Sequence, residues 1–468
     1  MNKNPYQNLF DDQINRFMEV GRTTYKQRLK KLQDLKRALE VDYKQPLREA
    51  LFADFGKPFL ETDLTEIYPI LAEIKHIERN LRDWMRPKKV GNPLTMVGSR
   101  SYIEYESKGV CLIMSPWNFP VILTFDPLVS AIAAGNCCIV KPSESTPATS
   151  QVMSEIVSAL FDPAEVVVVQ GEVDTAKALL ELPFHHIFFT GSPAVGKHIM
   201  QAASRHLTSV TLELGGKSPA FVDETASLVT TAKRLAWGKC LNAGQICVAP
   251  DYVLVTEKAK DALVGALKTQ LQSFFPKGAS DSSSYARIIN SGHHRRLQDA
   301  LNTAVSDGAE VYYGGGYSEE DHFFEPTLIG SVPEDATLLQ EEIFGPVLPI
   351  VTVRNVDEAV NFINRKPRPL ALYTFSKSKT AIQKLSENTR AGGACINHNV
   401  VHLSNNHLPF GGVNNSGIGK AHGYHGFLAF SNERGTVRQY TPSSIDLLMP
   451  PYSDFKQRMV DVTLRWFK

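Results

Sequence analysis

The chain has 468 residues, 43% of them apolar and 21% charged, an ordinary globular composition that argues against disorder. That length exceeds one compact core and points to about three domains. Fifty Lys and Arg stand against 49 Asp and Glu, a net charge of +1, which removes the bulk electrostatic case for nucleic-acid or anionic-membrane binding. No apolar run reaches the roughly 18 residues that span a bilayer, and Met1-Asn2-Lys3-Asn4-Pro5 has no apolar signal core. A soluble, cytoplasmic protein is expected. Six cysteines (Cys111, Cys137, Cys138, Cys240, Cys247 and Cys395) are too few for a disulfide scaffold, and none forms a C-x-x-C pair. No H-E-x-x-H occurs, and His185-His186 and His293-His294 are adjacent pairs whose side chains diverge, so no metal site is expected.

Residues 8–85 read as helices, with Leu29, Leu32, Leu35 and Leu39 forming a one-sided apolar stripe. Pro46 and Gly56 mark the start and stop of a second helix. Asp63 with Glu66 has the spacing of a capping box that opens a third. Residues 87–98 read as a connector, and 100–108 as an exposed strand. From Val110, short apolar runs at 110–114, 137–140, 166–169, 187–189 and 210–214 alternate with helical stretches at 127–134, 146–160, 174–182 and 194–206. Continuous apolar strands between such helices predict a parallel sheet covered on both faces. Such a sheet binds nucleotides at the carboxyl ends of its strands. A second α/β stretch follows over 221–397, then a glycine-rich loop at 411–419 and a proline-marked tail from Pro450.

Gly191-x4-Gly196-Lys197 comes close to a P-loop, but His198 stands where that motif needs the Ser or Thr that holds Mg²⁺. What survives is a strand–glycine–helix turn whose free N–H groups could face a pyrophosphate. Asn242-Ala243-Gly244-Gln245-Ile246-Cys247 sets a cysteine after a small, flexible segment. Upstream, Glu213-Leu214-Gly215-Gly216-Lys217 puts a carboxylate at a strand end before two glycines. Pro116 and Pro120 bracket Asn118 in a sharp turn after the first sheet strand. Taken singly, these are a buried cysteine, a surface Glu and an Asn turn; together they point to nucleophilic catalysis.

From about residue 10 to 440 the sequence resembles the aldehyde dehydrogenase superfamily. The matching stretches are Pro116-Trp117-Asn118-Phe119-Pro120, Val140-Lys141-Pro142-Ser143-Glu144, Phe189-Thr190-Gly191-Ser192 with Gly196, and Glu213 to Lys217. They continue with Gly244-Gln245-Ile246-Cys247, Glu341-Glu342-Ile343-Phe344-Gly345-Pro346 and Leu408-Pro409-Phe410-Gly411-Gly412. Cys247-Val248-Ala249-Pro250-Asp251-Tyr252 and the short N-terminus look like class 3 members, a branch that includes fatty-aldehyde and coniferyl-aldehyde dehydrogenases.

The resemblance implies an α/β fold with a Rossmann-like cofactor domain (1–99 and 109–212) and a second α/β catalytic domain (213–397). It also implies a small β oligomerisation arm (100–108 and 434–447) that makes a homodimer, with 448–468 as a tail. Cys247 would be the nucleophile, the Asn118 amide and the Cys247 N–H the oxyanion donors, and Glu213 the base that hydrolyses the thioester. Lys141 and Glu144 would hold the adenosine ribose, with Gly191, Ser192 and Gly196 against the adenosine and pyrophosphate. Glu342 would hold the nicotinamide ribose and Phe344 pack near the ring. A carboxylate at Glu144 repels a 2′-phosphate, so NAD is expected first, with NADP also usable. An esterase-type enzyme and a silent scaffold are the competing readings, and the intact Cys247, Glu213 and Asn118 weigh against both.

Trp117, Tyr68, Phe119 and Phe410 suit a channel for medium or long alkyl or aromatic aldehydes. In the tail, Phe455, Met459, Val462 and Trp466 share one helical face, widened by Val460, Leu464 and Phe467. Lys456, Arg458, Arg465 and Lys468 add basic charge. That face has three destinations: packing on the body or a partner subunit, the mouth of the substrate channel, or a membrane surface.

Overall fold

Val110–Met114 is apolar and wholly buried because it lies inside a six-stranded sheet, paired on both sides and covered on both faces. The computed structural model describes residues 4–93, 96–440 and 443–466. Met1, Asn2, Lys3, Leu94, Thr95, Thr441, Pro442, Phe467 and Lys468, on which the sequence reading draws, lie outside them. Across that sheet the order is 417–418, 209–214, 186–191, 110–114, 137–141 and 166–168. All neighbours are parallel except Gly417–Ile418, which pairs antiparallel with Leu212 and Glu213. A second, seven-stranded sheet runs 310–313, 327–330, 347–353, 252–256, 219–222, 371–375 and 393–396. Only its first pair is antiparallel.

The helix expected at 127–134 starts earlier, at Pro120, and ends at Ala134, where Gly135 takes the left-handed cap. Every residue from Thr124 to Ala134 is buried, so no polar–apolar period marks its first turns. Pro127 lies inside the helix, where it withholds one N–H.

Asp63 and Glu66 do not form a capping box. Asp63 takes Arg48 and Lys44 as partners, and residues 63–67 form a wide turn between helical segments. Glu66 caps a different helix: its Oε2 accepts from the N–H groups of Val121 and Ile122 at 3.1 and 3.0 Å. The connector at 87–98 contains a short strand, Lys88–Val90, on the edge of a three-stranded sheet. In that sheet Ser99–Ser107 and Ser431–Gln439 pair antiparallel along their whole length.

Asp454–Trp466 is helical, but none of its residues is buried. Lys456, Met459, Val460 and Thr463 are partly covered, whereas Phe455, Val462, Leu464 and Trp466 are exposed. Among the described residues no helix is long and apolar enough to cross a membrane.

Candidate active site

Helix Leu228–Cys240 ends in a tight turn in which Asn242, Ala243 and Gly244 all have positive φ, +51°, +50° and +73°. Such backbone costs about 1–3 kcal/mol per non-glycine residue and persists only where surroundings enforce it. Here they do. A Cβ on Gly244 would meet the Gly345 carbonyl at 2.3 Å, so glycine alone lets the nucleophile loop lie against the 341–346 segment. Buried Gln245 staples the same loop: its amide donates to Asn242 and Arg287 carbonyls, and its Oε1 accepts from the Ile289 N–H, each at 3.0 Å.

Asn118 is buried after strand Val110–Met114, and its Nδ2 donates to the Gln245 carbonyl at 3.0 Å. In return, Asn242 Nδ2 donates to the Asn118 carbonyl at 2.9 Å. The amide turn and the cysteine loop are thus sewn together. Beneath them lies a buried charge cluster that the sequence did not reveal. Lys57 Nζ meets Glu66 Oε1 at 2.5 Å and sits 3.8 Å from the centre of the Phe119 ring. Glu61, pushed up to about 7 by burial, accepts from the Asn242 N–H at 3.0 Å. Ion pairs of this kind fix geometry more than they add stability.

Glu213 ends strand Ser209–Leu214, and neither of its oxygens has a hydrogen-bond partner among the described residues. Burial holds its carboxyl well above the usual range; Lys420 opposes the shift and Asp126 adds to it. A cavity of about 480 Å³ is lined by Asn118, Glu213, Cys247, Glu342 and Phe344, with Gly191 and Ser192. A second, of about 240 Å³, is mainly apolar and reaches Cys247 past Leu64, Tyr68, Phe119, Ile122, Trp237 and Phe410. Cys247, only partly buried, stands where the two meet. Its thiol is pushed up to about 12, first by burial and then by the Glu342 and Glu213 carboxylates. The Cys247 and Val248 N–H groups pull the other way. No hydrogen bond links Glu213 to the thiol among the described residues; the two face one pocket.

The larger cavity has the features of a dinucleotide site. Strand His186–Gly191 ends at its wall, and Ser192 caps helix Pro193–Ser204 by accepting from the Val195 N–H at 3.3 Å. Glu342 is partly buried with its Oε1 atom shielded and unpartnered, and burial followed by Asp251 pushes its carboxyl up to about 8. A Cβ on Gly215 would fall 2.0 Å from Glu342 Oε2, so that glycine makes room for the carboxylate. Phe344 stands edge-on to Trp117 at 5.3 Å. Three of the expected cofactor residues are not on this wall. Lys141 is buried at the carboxyl end of strand Cys137–Lys141, two strands away in the sheet, donating to Glu144 at 2.9 Å. Gly196 packs against Leu214, whose Cδ2 is 2.8 Å from where a Cβ would be.

Two further pieces went unread. Lys217 and Asp251 form a buried pair: Lys217 donates to the Leu338 and Glu341 carbonyls, and Asp251 accepts from the Ile343 N–H at 3.0 Å. This anchors the segment carrying Glu342. Both residues stand in the matched motifs, which signalled their presence without a role. His293 lines the large cavity, its ring 4.9 Å from Trp117, and no local pattern marks it.

An α/β chain that brings a thiol, an amide donor and an unpartnered glutamate to one pocket is equipped for acyl chemistry at sulfur. The aldehyde dehydrogenase family profile matches residues 7–435, and the chain belongs to that family as an enzyme of the class. It is 43% identical to 4,4'-diaponeurosporen-aldehyde dehydrogenase of Staphylococcus aureus, over 91% of this chain and 92% of that one. It is 42% identical to aldehyde dehydrogenase family 3 member B1 of Rattus norvegicus, over 97% of each. The substrate-bound state of Staphylococcus aureus AldH superposes with a TM-score of 0.94 at 40% identity, covering 99% of this chain and 100% of that one.

Proposed function

We propose that the protein oxidises a medium- or long-chain aliphatic or an aromatic aldehyde to its carboxylic acid, with NAD as the preferred cofactor. The observation that carries this reading is Cys247 at the junction of an apolar channel and a dinucleotide-sized pocket. Glu213 takes the Cys247 thiol proton and releases it to solvent, the thiolate Sγ attacks the aldehyde carbon, and the Asn118 amide with the Cys247 N–H holds the oxyanion that develops. A nicotinamide dinucleotide supplies the hydride acceptor and, when oxidised, a positive charge that offsets the carboxylates now suppressing thiol ionisation. Ser192, Gly191, Glu342 and Phe344 would hold it in the large cavity, and Lys141 with Glu144 would reach its adenosine end. Glu213 then takes a proton from a water, which adds to the acyl carbon; the tetrahedral adduct expels the Cys247 thiolate and leaves the acid. A thioester or esterase activity alone would leave the unpartnered Glu342 carboxylate and the Ser192 helix start without a task.

Lys141 already spends its charge on Glu144, whose partly exposed carboxylate disfavours a 2′-phosphate. With decanal or benzaldehyde, kcat/KM for NAD is therefore expected to exceed that for NADP, and a clear preference for NADP would overturn the assignment. Six free thiols, one of them the nucleophile, fit the reducing cytoplasm. Ser431–Gln439 is an edge strand, and pairing or covering that edge in a homodimer would protect it.

The tail helix bares Phe455, Val462, Leu464 and Trp466, and each buried side chain of this kind contributes roughly 1.5–3 kcal/mol. That face is read as a cover over the mouth of the apolar channel, with packing on the body or a partner subunit and a membrane surface as the competing destinations. Deleting the residues after Pro451 is expected to change kcat/KM for dodecanal much more than for propanal. An unchanged ratio in a folded truncation rules out the cover.

A further inference from the structure

Between the two large cavities lies a third, of about 30 Å³, walled by Glu213 and Cys247 together with Asp126 and His422. Such a space suits a water or two, each needing about 10–15 Å³. Asp126 projects from helix Pro120–Ala134 and is buried. His422 Nε2 lies 3.6 Å from Asp126 Oδ2, and the His422 ring stacks on Phe410 at 4.9 Å with the planes 10° apart. Both residues also line the apolar channel. The chemistry derived so far uses neither, yet it leaves a difficulty. Glu213 takes a proton from water in a buried site and must lose it before the next turnover. Lys420, the cation acting on Glu213, already donates to the Gly411 and Gly412 carbonyls at 2.6 and 3.2 Å.

We propose that Asp126 and His422 form the proton exit for Glu213, reached through water in the small cavity and discharging into the channel. The step rests on the aldehyde-oxidation reading. In it the Glu213 O–H bond breaks, water accepts that proton and passes one of its own to the Asp126–His422 pair, and the pair returns it to solvent. No electrons change hands, and Glu213 is again a carboxylate. Asp126 and His422 act through Glu213, so they are positioning residues for the hydrolytic half-reaction.

The groups facing this pair are Glu213, Glu73 and His402. Glu73 accepts from the Gly423 N–H at 2.7 Å, and burial and then Asp126 push it up to about 9. His402 is lowered to about 4, chiefly by burial and also by His422. Asp126 is itself raised by burial, with His422 opposing. Because Asp126 raises the Glu213 carboxyl, removing its charge moves the acid limb of kcat to lower pH.

The test is rapid-mixing and steady-state kinetics on the full chain with NAD and decanal, comparing Asp126→Asn and His422→Phe with the parent. The expected result is a retained burst of NADH followed by a steady rate about tenfold or more lower. Added imidazole should partly restore it in His422→Phe, and the acid limb should shift down in Asp126→Asn. Unchanged steady rates in both variants, a burst that falls in step with the steady rate, or a change in KM alone would overturn the exit. A parent enzyme that forms no NADH from any aldehyde would instead sink the aldehyde reading itself.

Discussion

Replacing Cys247 by alanine is expected to cut aldehyde-dependent NADH formation by roughly 10⁴-fold or more, since no neighbouring group can replace the sulfur. Dinucleotide affinity should survive, because Gly191, Ser192 and Glu342 belong to other segments of the cavity wall. Cofactor fluorescence titration alongside turnover separates the two effects. Loss of both would mean that the strained loop, not the thiol, had failed. Removing the Asn118 amide should cost less, about 10²–10³ in kcat, the usual loss for one oxyanion donor.

The second large effect belongs to Glu213. Glu213→Gln is expected to keep a burst of about one NADH per active subunit and then lose about 10²–10⁴ in turnover, the share of a positioned general base. The pH dependence follows from the direction of its shift. Burial raises the Glu213 carboxyl, so at low pH it is protonated and cannot act as a base, and kcat rises with pH as it ionises. The glutamine variant should lose that limb. A pH profile identical to the parent's would assign the limb to another group.

The first sheet was legible because its strands are continuous apolar runs, such as Val110–Met114 and Cys137–Lys141, buried on both faces. The helix at Pro120 was cut short because a helix buried all round has no polar face to set its period. Asp63 and Glu66 had the spacing of a local cap, yet their partners come from residues distant in the chain or from another helix, which spacing cannot show. The tail helix was readable from its periodicity, whereas the absence of burial was not. In the site, Cys247, Glu213 and Asn118 stood in motifs, and the structure brings all three to one cavity. The Asp126–His422 contact stayed hidden because long-range pairing leaves no local signature, and the Lys57–Glu66 pair because nine residues and a turn separate partners whose burial no period marks.

The central claim is that Cys247 carries the acyl group between oxidation and hydrolysis. Acid-quenched mass spectrometry of Glu213→Gln, mixed with decanal and NAD, measures it directly. The account predicts a decanoyl mass increment on the peptide containing Cys247, in step with one equivalent of NADH. NADH formed with Cys247 unmodified, or the increment on another residue, would contradict it.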